Sequence, residues 1–366
     1  MQAGTEIAGR YVLEKRLGSG GMGEVWRGTD RRLDRPVAVK VMRDQLTDPL
    51  VARRFQREAR IAARLQHPGI TVVHDVGDHD GQPFIVMELL DGRDLASMLE
   101  QTPGRRLPAD EAISLAIQAA EALQAAHAGH VIHRDLKPAN LFLQSNGLLK
   151  ICDFGIARAA NVTDSLTSAG QAIGTAWYMS PEQCEGNQVD ERSDLYSLGC
   201  VLHELLTGQP PFPAGDALAI MYQHRNTPPA GPRTLRPDIP AELDTLVLNL
   251  LAKAPADRPP DASHVAAALK KVTREAQETP GNKPGNRAAR THSALGQGPP
   301  ASSTRISPGH TRQNQFRARK HHGQAILAPP TAPSRAGWQS SSSAPESPSS
   351  ACWPRSLSPP ARARPS

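Results

Sequence analysis

The sequence lacks the features that mark disulfide-rich, zinc-binding, secreted and membrane proteins. Its 366 residues include four cysteines, which form no CxxC pair, so we expect reduced thiols rather than a disulfide framework or a zinc site. No apolar run approaches the ~18 residues that a membrane helix needs. The N-terminal stretch MQAGTEIAGR contains no apolar segment typical of a signal peptide. We therefore expect a soluble, cytoplasmic protein without a membrane segment.

Acidic residues are almost absent from the last quarter of the chain. From Arg274 to Ser366 there are 13 Lys and Arg but three Glu and no Asp, a net charge of +10. Because the whole chain carries +6, residues 1–273 carry about −4. The segment is rich in proline, serine and glycine and has no hydrophobic period, so it buries too little apolar surface to offset its ordering entropy. We predict a disordered basic tail over residues 274–366.

This tail has three interpretations. Its basic residues are dispersed and few aromatics accompany them, which argues against a nucleic-acid-binding arm. A linker that has lost the domain it tethered is the second interpretation. The third is a shifted reading frame, because the Arg, Pro, Ser and Ala bias resembles the product of one in a GC-rich gene. The folded part is mildly acidic, so we expect no nucleic-acid partner there either.

A glycine-rich stretch and a lysine within an apolar run stand out near the N-terminus. The spacing Gly18-x-Gly20-x-x-Gly23-x-Val25 also occurs in Rossmann domains, where the last glycine opens a helix. Here β-rich runs follow, which indicates a hairpin over phosphates; a flexible surface hairpin is the alternative. In VAVKVM a period of two places the valines on one face and Lys40 on the other. A lysine buried there needs an anion.

A helix is predicted from Pro49, with Asp48 as its cap, to about Leu65. Glu58 lies beside the apolar stripe of this helix. It is either a solvated partner of a nearby arginine or an inward partner for Lys40, and the helix pattern alone fits both.

Two further strands, over 70–76 and 83–89, complete a predicted five-stranded antiparallel sheet. Together with the helix they form a small lobe that we end near Leu90. The composition beyond it is mainly helical, up to about residue 273.

The stretch Val131–Leu143, reading VIHRDLKPANLFL, places an acid, a base and an amide between apolar flanks. Such flanks hold a short loop in place, which a solvated charge cluster does not need. A helix over 108–127 precedes it, and a hairpin turn over 145–147 follows. Asp153 then interrupts a second apolar run, CDFGIAR. Ordinary turn caps are the alternative interpretation of Asp135 and Asp153.

The rest of the folded part is predicted to be helical. Ser193 and Asp194 are predicted to cap an apolar helix over 195–206, which Gly208 closes. Three more helices are predicted over 214–225, 241–253 and 261–271.

In order and spacing, these motifs resemble the signature set of protein kinases over residues 8–273. The matching positions are Gly18, Gly20, Gly23, Val25, Lys40, Glu58, His133–Asn140, Asp153–Gly155 and Ser180–Glu182. The local sequences GSGGMGEVW and SPEQ resemble those of the bacterial Hanks-type serine/threonine kinases. This resemblance implies an α+β, bilobal fold with a sheet-rich N-terminal lobe over 8–90 and a helical C-terminal lobe over 91–273.

The resemblance also implies a reaction, the transfer of the ATP γ-phosphoryl group to Ser and Thr hydroxyls of proteins with Mg²⁺ or Mn²⁺. Asp135 would orient the substrate hydroxyl, and Lys137 would steady the transferred phosphate. Lys40, held by Glu58, would pair with the α- and β-phosphates. The metal ligands would be Asp153 and Asn140. A nucleotide-binding scaffold without transfer activity, a pseudokinase, is the alternative.

The implied nucleotide site includes the glycine-rich hairpin over 18–23, which we call the flap, a gatekeeper at Met87 and a hinge over Glu88–Leu90. Its predicted members are Leu17, Gly18, Ser19, Gly20, Gly21, Met22, Gly23, Val25, Ala38, Lys40, Glu58, Met87, Glu88 and Leu90. Cys152 is interpreted as a small core residue that could touch a ligand in this site.

Regulation is implied by Arg134, which in such kinases docks a phosphorylated activation loop. Thr167 and Ser168 are the first candidates for autophosphorylation, and Thr163 and Ser165 the second. The alternative is that these hydroxyls only solubilise a loop. A transient homodimer would serve phosphorylation in trans.

Three further residues resemble structural positions of the family. Arg258 would pair with Glu182, Asp194 would brace the backbone of the catalytic loop, and Thr175 would lie against Asp135 and Lys137.

Overall fold

Six antiparallel strands, rather than the predicted five, form the first sheet of the molecule. The computed structural model describes residues 1–20, 23–42, 49–154 and 174–278. The sheet has the order β1-β2-β3-β4-β6-β5. Its strands are β1 (Glu6–Ile7), β2 (Tyr11–Gly20), β3 (Gly23–Asp30), β4 (Arg35–Met42), β5 (Val73–His79) and β6 (Gln82–Glu88).

The strand missing from the prediction is β1, because two residues are too few to show a period. It pairs with the start of β2, and Ile7 is fully buried. The predicted strand over 70–76 begins only at Val73, because Ile70 forms an isolated bridge with Ile151 instead.

The two faces of β4 divide as the period of two predicts. Val37, Val39 and Val41 belong to a small core on one side of the sheet. Ala38 and Met42 join the main core on the other side. Lys40 lies on this second face and is 8% exposed.

The first helix is α1 (Pro49–Ala62), whose inner stripe includes the buried Ala59 and Ala62. The predicted cap, Asp48, lies outside the described residues.

A second, three-stranded sheet has the order β7-β8-β9. Its strands are β7 (Gly92–Asp94), β8 (Leu141–Gln144) and β9 (Leu149–Ile151). The turn between β8 and β9 contains Gly147 at φ 84°, a conformation that favours glycine. The predicted hairpin over this turn is confirmed.

Helices make up most of the remaining described chain. They are α2 (Leu95–Gln101), α3 (Ala109–Ala128), α4 (Pro181–Glu185), α5 (Glu191–Thr207), α6 (Ala217–Asn226), α7 (Pro232–Leu235), α8 (Ala241–Leu250) and α9 (Ala262–Glu278). Helices α2, α4 and α7 were not predicted separately; two of them are only four and five residues long. None of the helices in the described ranges is long and apolar enough to cross a membrane.

The predicted cap of α5 is wrong. The helix begins at Glu191, and Asp190 is its N-cap, accepting a hydrogen bond from the backbone N–H of Arg192. Ser193 and Asp194 lie inside the helix and are buried. The predicted end is confirmed, because Gly208 closes the helix at φ 87°.

Several predictions fall outside the described residues. They are those for Gly21, Met22, Gly155, Thr163, Ser165, Thr167 and Ser168, and for the tail from residue 279 onward. The predicted start of the disordered tail at residue 274 is wrong, because residues 274–278 continue α9.

Candidate active site

The predicted catalytic loop lies between α3 and β8, and α5 holds its backbone in place. The Asp194 carboxylate accepts the backbone N–H groups of His133 and Arg134, each at 2.8 Å. Its Oδ2 also lies 2.8 Å from Nε2 of His127. Arg134 has φ 67°, which costs energy for a residue with a Cβ. The two hydrogen bonds that the loop N–H groups donate to Asp194 therefore hold the loop in a conformation that the local sequence does not favour.

Both ring nitrogens of His133 are engaged, which fixes the tautomer of the ring. Nδ1 accepts from the backbone N–H of Asp135 at 3.2 Å, so Nε2 carries the hydrogen and donates to the Cys152 carbonyl at 2.9 Å. The ring also meets that of Phe154 edge to face, with centroids 4.8 Å apart. The histidine thus joins the catalytic loop to the segment that bears Asp153.

The Asp135 carboxylate lies at the centre of a polar cluster. Lys137 Nζ donates to its two oxygens at 3.1 and 2.9 Å. Asn140 Nδ2 donates to the Asp135 carbonyl at 2.8 Å and to Oδ2 at 3.2 Å. Lys137 Nζ also reaches Thr175 Oγ1 at 3.2 Å. The structure thus brings together the predicted acid, base and amide, and adds a hydroxyl from a segment 38 residues away.

Lys40 forms its ion pair with Asp153, at 2.8 Å between Nζ and Oδ2. Burial alone would raise the pKa of the Asp153 carboxyl, but the charge and hydrogen bond of Lys40, with smaller contributions from neighbours such as Lys137, together hold the pKa below its ordinary value. Asp153 is therefore a carboxylate at neutral pH. Glu58 is half-buried on α1, and its pairing with Lys40 stays a prediction.

Four of the predicted nucleotide-site residues share one face of the first sheet. Val25 lies opposite Lys40 on neighbouring strands, and Ala38 lies opposite Met87. Because Ala38 and Lys40 are two apart on β4, all four side chains project to the same side. Leu90, just past β6, is half-buried, whereas Leu17 on β2 is exposed.

The glycines of the flap differ in what surrounds them. A Cβ added at Gly23 would lie 2.2 Å from the Val41 carbonyl oxygen, so the pairing of β3 with β4 itself requires glycine. A Cβ at Gly18 would meet nothing within 4 Å. The sheet does not require glycine at Gly18, and the space there fits a ligand that approaches the backbone.

Asp153 and Asn140 fit a divalent cation by their chemistry. Carboxylate and amide oxygens are ligands that Mg²⁺ accepts. Both hydrogen bonds recorded for the Asn140 amide use Nδ2, so its Oδ1 is the atom that a cation would meet.

Glu182 on α4 is held by Arg258 through two parallel hydrogen bonds, at 2.7 and 2.8 Å. Both side chains are buried, and Ser193 donates to the same carboxylate. Burial would raise the pKa of Glu182, but the hydrogen bonds from Arg258 and Ser193 lower it to about 2. The next residue, Gln183, donates to the Arg134 carbonyl at 2.8 Å, which ties this segment to the catalytic loop.

The sequence interpretation missed Lys150 on β9. Its Nζ lies 2.6 Å from Oε1 of Glu88, at the end of β6, and the lysine is 7% exposed. The signal was a lysine within the apolar run LLKIC, the same signal that singled out Lys40.

Cys152, next to Asp153, is half-buried, and its Sγ lies 3.1 Å from Thr71 Oγ1. Burial raises the pKa of this thiol to about 12, so it is protonated at neutral pH.

A family model described as "Protein kinase domain" matches residues 11–270. The chain belongs to the protein kinase family. The expected kinase fold is confirmed by a solved structure of the Mycobacterium tuberculosis PknI kinase domain, with a TM-score of 0.61 and 34% identity. That match covers 74% of this chain and 99% of the solved one.

Two curated relatives of this kinase chain are bacterial serine/threonine-protein kinases by name. The probable serine/threonine-protein kinase PknB of Corynebacterium glutamicum is 43% identical over 82% of this chain and 47% of the relative. The serine/threonine-protein kinase PknB of Mycolicibacterium smegmatis is 46% identical over 73% of this chain and 43% of the relative. The predicted bacterial serine/threonine branch is thereby confirmed. The chain spans less than half the length of these relatives.

Proposed function

We propose that this chain transfers the γ-phosphoryl group of ATP to serine and threonine hydroxyls of protein substrates. The observation that carries the proposal is the Asp135 carboxylate, oriented by Lys137 and Asn140 and linked through Lys137 to Thr175. A carboxylate held in this way can accept a hydrogen bond from a substrate hydroxyl and orient it for attack.

The other site residues act by position and charge. Lys137 neutralises charge on the phosphoryl group as it moves, and Lys40 is the cation for the α- and β-phosphates. Mg²⁺ or Mn²⁺, when bound, neutralises charge on the phosphates, and Asp153 and Asn140 would hold it. The adenine ring would lie between the face of Val25, Ala38 and Met87 and the backbone of Glu88–Leu90, and Gly18 leaves room for the flap to approach the phosphates.

The test is the transfer of ³²P from labelled ATP to a protein substrate, followed by phosphoamino-acid analysis. Asp135→Asn should reduce the rate by about 10²- to 10⁴-fold and preserve nucleotide binding. Asp238→Asn, at an exposed aspartate, is the matched control and should keep full activity. Equal labelling by the wild-type and Asp135→Asn chains would overturn the catalytic role of Asp135, and no labelling by wild type would leave only a nucleotide-binding scaffold.

Regulation by autophosphorylation is part of the proposal. Arg134 is exposed on the catalytic loop, and its guanidinium suits a phosphate on Thr167 or Ser168. Phosphosite mapping after incubation with ATP should find phosphate there in wild type and not in Lys40→Met. Absence of phosphate from both Thr167 and Ser168 in wild type, or equal phosphate in wild type and Lys40→Met, would contradict regulation by autophosphorylation.

Phosphorylation in trans through a transient homodimer would require one copy to label another. A tagged Lys40→Met chain should gain phosphate only when mixed with wild type. A Lys40→Met chain that stays unlabelled in the mixture would exclude the homodimer route. We place this reaction in the cytoplasm, which fractionation of cells that express the chain would test.

A further inference from the structure

Residues Gly69–Val72, which we call the strap, hydrogen-bond to both sides of the candidate nucleotide site. On one side, the Gly69 carbonyl accepts from Ile151 N–H at 2.8 Å, and Thr71 N–H donates to the Ile151 carbonyl at 3.0 Å. On the other side, the Val72 carbonyl accepts from Glu88 N–H at 3.0 Å. The strap therefore connects the strand that leads to Asp153 with the strand that ends at the proposed hinge.

The Glu88–Lys150 ion pair spans the same gap by side chains. Glu88 Oε1 accepts from Lys150 Nζ at 2.6 Å and from Val72 N–H at 2.7 Å. Lys150 Nζ also donates to the Ile70 carbonyl at 3.3 Å. Each charged group thus contacts both its partner and the strap.

The pair is mostly removed from water, with the Lys150 side chain 9% exposed and the Glu88 side chain 25% exposed. A buried ion pair carries a desolvation cost and is weak evidence for added stability. Its hydrogen bonds have a narrow range of geometry. Such a pair fixes a distance better than an apolar contact does.

Glu88 is the last residue of β6, where the proposed adenine site begins, and Lys150 lies three residues before Asp153, where the proposed metal site lies. We propose that the Glu88–Lys150 pair sets the spacing between the hinge and Asp153, so that one nucleotide can engage both at once. Lys150 is then a positioning residue for nucleotide binding. This inference rests on the proposed function.

A ligand that uses one end of the site distinguishes this role from a purely structural one. Adenosine engages only the hinge end, whereas a non-hydrolysable ATP analogue with Mg²⁺ engages both. Loss of the spacing should weaken binding of the ATP analogue and leave binding of adenosine unchanged. A general loss of structure would weaken both together.

The experiment is calorimetric titration of the full chain with adenosine and with Mg²⁺ and AMP-PNP. Lys150→Met, which keeps the apolar stem, should weaken AMP-PNP binding about tenfold and leave adenosine binding unchanged. Lys150→Arg, which keeps the charge and the donors, should restore most of the loss. Lys270→Met is the matched control, because Lys270 also pairs with a glutamate at 2.6 Å but on the exposed surface.

Glu88→Gln provides an independent variant should Lys150→Met fold poorly. It keeps an acceptor for Val72 N–H and removes only the charge. Like Lys150→Met, it should weaken AMP-PNP binding and leave adenosine binding unchanged. If the wild-type chain binds both ligands and the ratio of adenosine affinity to AMP-PNP affinity is unchanged in these variants, this inference alone is overturned. A wild-type chain that binds neither would overturn the proposed function and this inference with it.

Discussion

Asp194 Oδ1 accepts the backbone N–H of Arg134 at 2.8 Å, and Arg134 has a left-handed backbone conformation. The aspartate is fully buried inside α5. A side chain of one helix therefore determines the backbone shape of the loop that carries Asp135.

Asp194→Asn should lower the free energy of unfolding by about 2 kcal/mol or more. Three donors converge on the carboxylate, and an amide offers one oxygen and turns its own N–H₂ toward the others. Denaturant titration measures the change. Asp190→Asn, at the N-cap of the same helix, is the control and should cost little, because asparagine caps as well as aspartate. Equal stability of the Asp194→Asn and wild-type chains would contradict the bracing role.

Thr175→Val should reduce kcat about tenfold, since it removes one hydrogen bond from Lys137 in the proposed transition state. The side chain keeps its shape, so the thermal midpoint should stay near that of wild type. Steady-state kinetics with a protein substrate gives kcat. Thr175→Ser keeps the hydroxyl and should keep most of the activity; if it loses as much as Thr175→Val, the contact is not the cause.

Gly23→Ala and Gly18→Ala should separate the structural glycine of the flap from the ligand-binding one. At Gly23 the new Cβ meets the Val41 carbonyl oxygen, so we expect a loss of about 1–3 kcal/mol in stability. At Gly18 it meets open space, so stability should change by less than about 0.5 kcal/mol while the KM for ATP rises. Denaturant titration and ATP kinetics on both variants test this. The reverse order of the two stabilities would contradict it.

The Glu182–Arg258 pair should make stability depend on acid. The folded pKa of Glu182 is about 2, below its ordinary value of 4.5. The unfolded chain therefore takes up this proton first as the pH falls, and the stabilisation present above pH 4.5 is lost between 4.5 and about 2. The loss should reach about 3 kcal/mol.

Glu182→Gln should flatten that part of the curve of unfolding free energy against pH. The control is Glu185→Gln, which removes an exposed glutamate from the same helix and should keep the wild-type slope over this range. A Glu182→Gln curve that falls as steeply as wild type would show that other carboxyl groups cause the acid sensitivity.

The sequence could predict the parts of the site that local pattern determines. The alternation in β4 placed Lys40 on the inner face, and the polar residues of Val131–Leu143 are close in the chain, so their grouping needed no tertiary information. Strand β1 was not predicted because a two-residue strand is too short to show an alternating pattern.

Long-range partners were harder to predict from residues alone. Asp194 at the start of an apolar helix carries the same local signal as a helix cap. The bracing of the catalytic loop by its carboxylate followed from the family resemblance and not from the local pattern, and the structure shows it. Lys150 could be seen to need an anion, as Lys40 could, but the partner Glu88 lies 62 residues away. The choice among several acidic residues depends on how the two sheets meet.

The contacts that complete the site also determine when it can form as the chain is made. Arg134 is separated from Asp194 by 60 residues, and Glu182 from Arg258 by 76. A nascent chain on the ribosome that has made Asp135, Lys137 and Asn140 still lacks the carboxylate that shapes their loop and the guanidinium that neutralises Glu182. Asp135, Lys137 and Asn140 of the proposed catalytic cluster are therefore translated well before their long-range contacts can form, and the last of these contacts forms only after Arg258 has emerged and folded.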